Sequence, residues 1–246
     1  MGGIARDRLI TGASLAGVVA LAWLYLWRAG GSMHGGEGAS MAMPLGLTFA
    51  MWAVMMAAMM LPGAAPTVLL YGAMVRRNAE RGTALASVWI FVGGYLLAWT
   101  GFGLLATLLQ AALEHAGLLT PMMAAASPWL SAGLLIAAGI YQFTPFKTLC
   151  LANCQNPVHF LMTRWRPGAA GALRMGLAHG AYCVGCCWVL MLLLFALGVM
   201  NLAWVALIAA FVSIEKLLPA GRVTSRFAGV ALIVAGLAVI GFGGFR

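Results

Sequence analysis

The stretch Ala172–Val199, ALRMGLAHGAYCVGCCWVLMLLLFALGV, contains a single charged residue, Arg174. A run this long and apolar exceeds the roughly 20 residues that cross a bilayer, and it is too long for a barrel strand. Lipid offers the backbone no hydrogen-bond partner, so such a segment is expected to be a membrane helix. Six more apolar stretches surround it: Leu9–Trp27, Leu45–Met74, Thr83–Leu113, Pro128–Phe146, Leu202–Leu218 and Phe227–Phe245. Together they use most of the 246 residues. The expected fold is all-α: one integral membrane domain over 1–246, a polytopic bundle of seven transmembrane helices.

Composition points the same way. Of the chain, 63% is hydrophobic and 8% charged, whereas a soluble domain carries about 25% charged residues. A soluble globular fold is excluded. The net charge of +9 sorts by side. Alternating segments place Arg6, Arg8, Arg76, Arg77, Arg81, Lys147, Arg164, Arg166, Arg174, Lys216, Arg222 and Arg226 on one side, and only Arg28 and Arg246 on the other. The positive-inside rule then puts the N-terminus inside and the C-terminus outside. The expected location is the bacterial inner membrane, as a multi-pass protein whose partner is the lipid bilayer rather than nucleic acid. Leu9–Trp27 follows two arginines as a signal peptide would, but Trp23, Tyr25 and Trp27 and the lack of a small-residue cleavage site read as a retained anchor. No internal repeat is found, and the 32 glycines are expected to serve close helix packing.

The few polar atoms inside these stretches carry the chemistry. His179, Cys183 and Cys186 recur at i, i+4 and i+7, so they share one helix face, with Cys187 at its edge. At roughly 1.5 Å per residue, Cys183 lies roughly 13 Å beyond Arg174, near the middle of a ~30 Å hydrocarbon core. Thiolate and imidazole suit Cu(I) or Zn(II), not Mg or Ca. His179, Cys183, Cys186 and Cys187 are the expected principal metal ligands, although buried cysteine also packs as a small hydrophobe. Cys150 and Cys154 stand at i and i+4, and His159 joins them only if the chain turns after Pro157. Whether this segment folds back to unite both cysteine clusters in one site stays open.

Auxiliary candidates lie elsewhere. Met51, Met55 and Met59 form one ladder along Leu45–Met74, and Met56 and Met60 form another. Thioether binds Cu(I) and serves Zn(II) poorly, yet methionine equally fills cores. Met55 and Met59 are kept as auxiliary ligands. Glu215, the one acid in the C-terminal half, reads either as a ligand or proton acceptor or as an interfacial ion pair with a snorkelling Lys216. Met33, His34, Glu37, Met41 and Met43 crowd a short Gly-rich loop that reads either as copper capture or as an ordinary polar loop. Tyr141 and Gln142 are expected to hydrogen-bond across the bundle. The sequence has no GxxxxGK[ST] loop, no HExxH helix and no paired intramembrane aspartates, and Ser87, Ser213 and Ser225 lack a histidine at helical spacing. Catalysis is left only to metal or thiols, and no catalytic residue is assigned.

These residues resemble a known family. The matching stretches are Met51-Trp52 through Met59-Met60-Leu61-Pro62 with Pro66, and Tyr141 through Lys147 with Cys150-Leu151 and Cys154. They continue with Gly171 through Gly176, His179-Gly180, Tyr182-Cys183, Gly185 through Trp188, Gly198 through Asn201, and Glu215-Lys216. The chain thereby resembles the bacterial predicted metal-binding integral membrane proteins known as domain of unknown function 2182, over about Leu45 to Gly236. The resemblance implies a helical membrane protein that binds metal, and no established activity.

The expected function is binding of a soft transition metal, copper ahead of zinc, for transport, storage or delivery to a membrane or periplasmic protein partner. Two other readings stand beside it. One is a thiol- or metal-dependent membrane oxidoreductase or the accessory subunit of a membrane enzyme complex; the other is a structural or assembly subunit whose cysteines only pack.

Overall fold

A computed structural model describes residues 2–34, 44–78, 84–120, 123–218 and 221–243. The loop carrying Met33, His34, Glu37, Met41 and Met43 has its side chains outside the described residues. Nine helices are present among the described residues: α1 (Gly2–His34), α2 (Leu45–Asn78), α3 (Ala84–His115), α4 (Pro128–Tyr141), α5 (Pro145–Gln155), α6 (Pro157–Thr163), α7 (Gly168–Leu197), α8 (Leu202–Leu217) and α9 (Gly221–Gly243). The all-α fold class holds, but the count of seven spans does not. Five of these helices, α1, α2, α3, α7 and α9, are long and apolar enough to cross a membrane, or six if the bent pair α4 and α5 is one span.

The expected single span Pro128–Phe146 breaks for a local reason. Pro145 has no N–H to continue a helix, and the residue before a proline is pushed out of the α region. Thr144 accordingly turns extended and caps α5, its hydroxyl accepting from the Lys147 backbone N–H at 3.3 Å. The axis bends by 66°. Residues 147–171, between the apolar stretches Pro128–Phe146 and Ala172–Val199, are therefore mostly helix, α5 and α6. The α8 helix has 16 residues, too few for a full span, and its last turn holds the buried Lys216.

The α7 helix is the centre of the bundle: 61% of its apolar window is buried inside the protein, against 17% for α9. Glycines bring its neighbours close. A Cβ placed on Gly180 would lie 2.7 Å from the Ala98 Cβ and 2.9 Å from the Tyr95 carbonyl oxygen, so α3 and α7 touch backbone to backbone there. The α4–α9 pair uses the same device, since a Cβ on Gly139 would come within 2.8 Å of the Gly229 carbonyl. The outer face of α9 exposes Val223, Phe227, Val230, Val234 and Leu237, spaced as one apolar stripe. On α2, Pro62 and Pro66 are accommodated within one continuous helix.

Gly180→Ile should force α3 and α7 apart and lower stability by about 1–3 kcal/mol. Gly101→Ala, where no atom lies within 4 Å of the added Cβ, should leave it nearly unchanged. Thermal unfolding of the two variants in detergent measures the contrast.

Candidate functional site

The α7 helix presents His179, Cys183, Cys186 and Cys187, all buried. Side chains from α2, α3, α5 and α8 converge on its sulfurs. The bend at Pro145 lays α5 across α7 so closely that a Cβ on Gly185 would be 2.7 Å from the Cys150 Sγ. Cys154, one turn further along α5, is buried as well. The segment left open by the sequence does fold back, and the two cysteine clusters adjoin. From α2 comes Met60, whose Sδ is 3.9 Å from the Cys187 Sγ. The α3 helix adds Tyr95, with its hydroxyl 3.0 Å from both the Cys183 Sγ and the Met60 carbonyl oxygen. The last turn of α8 brings Glu215 and Lys216 to the same level.

Charge organises the cluster. Lys147, Glu215 and Lys216 are 1%, 0% and 5% exposed. The Lys147 ammonium donates to Glu215 Oε2 at 2.8 Å and lies 2.8 Å from Oε1, and Ser225 donates its hydroxyl to the same carboxylate. Lys216 turns the other way, its Nζ 2.8 Å from the Cys183 Sγ and 3.7 Å from the Met60 Sδ. Two buried ammonium groups are thus balanced by one carboxylate, which faces only Lys147, and an uncompensated buried charge costs several kcal/mol. The Cys183 sulfur, which receives the second ammonium, is the point where negative charge is best supported. Gly63 on α2 makes room for the lysine stem, since a Cβ there would be 3.2 Å from the Lys216 Cδ.

The expected site residues fare unequally. Cys183 and Cys187 stand at the focus; Cys186 and Cys187 donate their thiols to the Cys183 carbonyl at 3.1 and 3.0 Å. His179 sits behind them against Phe160, with ring centroids 5.0 Å apart, and its buried Nδ1 has no hydrogen-bond partner. Glu215 is engaged by Lys147 and Ser225. Met59 is buried, and Met55 lines a small apolar crevice with Met51 and Met200 beside the α7–α8 turn. Among the described residues, no group of three or more His, Cys, Asp or Glu is arranged to hold a metal ion. The interfacial reading of Lys216 is overturned by its burial. Tyr141 does cross the bundle, donating to the Gly185 carbonyl, whereas both side-chain polar atoms of Gln142 are buried without a partner. Lys147 and Tyr95 were missed, because nothing local in the sequence separates a buried lysine or tyrosine from an interfacial one.

The donor chemistry fits a soft metal: thiols and a thioether converge, and one buried imidazole nitrogen is unpaired. A family model described as PpoB2, copper chaperone, matches residues 49–239, which include every helix of the site. The match carries a metal, as the resemblance to domain of unknown function 2182 implied, but under a different family name. Comparison with curated proteins and with solved structures gives no match.

Removing one partner of the buried pair, as in Glu215→Gln or Lys147→Met, should destabilise the protein by about 3–5 kcal/mol. The double variant Lys147→Met, Glu215→Leu should cost less than the sum of the two single changes. A double-mutant cycle in thermal or denaturant unfolding reads the difference.

Proposed function

The chain belongs to the PpoB2 copper chaperone family, and from that premise we propose that it is a bacterial inner-membrane protein that takes up Cu(I) and hands it to a protein partner. The single observation that carries this reading is the convergence of the Cys183, Cys187 and Met60 sulfurs from two helices around one buried ammonium. These three residues would hold the ion, with Cys186, Cys154, Cys150 and His179 near enough to relay it. Copper is cargo here, and a chaperone must release what it binds.

The chemistry of exchange follows from the donors. Cu(I) is soft and accepts a few sulfur ligands, whereas structural Zn(II) requires a closed tetrahedral set. The Met60 thioether beside the Cys187 thiol supports copper over zinc, which thioether serves poorly. Cu(I) held by two thiolates carries a net negative charge, and Lys216 stands where it offsets that charge. Lys147 and Glu215 keep the end of α8, and hence Lys216, in register with Cys183. All five cysteines are free thiols, which suits ligand exchange.

A route to the site follows the methionines. Met51, Met55 and Met200 line the crevice at the α7–α8 turn, and Met59 and Met60 continue along α2 to Cys187. With the N-terminus inside, the end of α1 and with it this crevice, which Leu26 and Ala29 also line, would face outward, where a periplasmic partner would meet it. The apolar stripe of α9 supports insertion, and Arg6 and Arg8 ahead of the first apolar run support an inside N-terminus.

Purified protein should compete with a chromogenic chelator for Cu(I). Cys183→Ser and Cys187→Ser should each weaken binding by roughly 100-fold, and Met60→Leu by roughly 10-fold. X-ray absorption of the copper-loaded protein should show a sulfur shell. Unchanged copper content in the Cys183→Ser, Cys186→Ser, Cys187→Ser variant would overturn the proposal.

A further inference from the structure

At the end of α7 remote from the methionine crevice, a cavity of about 870 Å³ opens between α5, α6 and α7. Its size falls within the ~300–1,000 Å³ typical of small-molecule sites. Among the described residues, the wall carries Arg164, Arg166, Arg174 and His159 and neither Asp nor Glu. Topology alone calls for positive residues on this side of the chain, but not for three arginines lining one open cavity. They come from two separate places: Arg164 and Arg166 from the connection between α6 and α7, and Arg174 from the second turn of α7.

The connection is held in position. Arg164 donates to the Tyr182 hydroxyl, and its guanidinium lies 5.1 Å from the Tyr182 ring centroid. Trp165 packs its ring 5.8 Å from that of Tyr71 on α2. The arginines are thus presented by an anchored segment, and less ordering entropy is lost when a ligand binds. Guanidinium groups match phosphate oxygens through paired hydrogen bonds, and a phosphate supplies more acceptor oxygens and more charge than a single carboxylate. Basic pockets between helices at the cytoplasmic membrane surface also receive phospholipid headgroups.

We propose that this cavity binds a phosphate group, carried either by a small soluble molecule or by an anionic phospholipid. The site is separate from the sulfur cluster yet adjoins it. Asn153 and Tyr182 in its wall are the chain neighbours of Cys154 and Cys183, so an occupant would bear on the helices that hold those sulfurs. The proposal stands independently of the copper reading, because its readout is anion binding.

The test uses the full chain in detergent, with two probes. Inorganic phosphate is titrated by calorimetry, and phosphatidylglycerol retained after exposure to mixed vesicles is measured against phosphatidylcholine. The parent protein should bind at least one probe. The Arg166→Gln, Arg174→Gln variant should bind it at least tenfold more weakly, with an unchanged far-ultraviolet helix signal, and Arg166→Lys, Arg174→Lys should restore part of the binding. Arg174→Gln alone, at an exposed position, serves if the double variant does not fold. Binding of phosphate identifies a soluble ligand, and retention of phosphatidylglycerol alone identifies a lipid headgroup. Binding of neither probe by the parent, or equal binding by the glutamine variant, would overturn the proposal.

Discussion

Two lysines and one glutamate are buried among apolar helices, and the rest of the site is arranged around the charge they leave over. Lys147 and Glu215 neutralise each other at 2.8 Å, with Ser225 supplying a further hydrogen bond. The remaining ammonium, on Lys216, finds its counterpart in the Cys183 sulfur. Interactions of this kind are strong in a medium of low dielectric and heavily penalised when one member is missing. They therefore tie α5, α7 and α8 into one arrangement. An apolar interface between the same helices would tolerate sliding; a charged one much less so.

That constraint explains why two elements depart from regular membrane spans. The α4–α5 bend is encoded by Thr144-Pro145, and it turns Lys147, Cys150 and Cys154 toward α7. The α8 helix stops short of a full crossing, and its last turn delivers Glu215 and Lys216 to the level of Cys183. Irregular backbone and ionisable groups at membrane depth are tolerated where protein surrounds them. Here both are shielded by α2, α3 and α7, with glycines at 63, 180 and 185 allowing the close approach.

Much of this was legible in the residues. The cysteine stripe of α7 follows from helical spacing alone, and so does the side-by-side placement of Cys150 and Cys154. The apolar runs located every long helix. The span count failed where hydropathy is insensitive: it does not distinguish a 16-residue helix ending on a buried lysine from a full crossing, and it averages over Pro145. Lys147 and Lys216 were read as topological charges because a lysine at the end of an apolar run normally snorkels to water. Their burial depends on a partner 68 residues distant in one case and 33 in the other. Met60 was seen only as part of a ladder, with Met55 and Met59 preferred. Which methionine meets Cys187 depends on the rotation of α2 about its axis, which neighbouring helices decide.

The sequence by itself determined that the chain is helical and apolar, and that its soft donors are grouped on particular faces, because period and composition are local properties. Only the tertiary structure decided that the two cysteine clusters adjoin, that a lysine ammonium stands among the sulfurs, and that three arginines line a common cavity. Those facts depend on how helices far apart in the chain cross one another. Glycine contacts, one proline bend and the pairing of buried charges set those crossings.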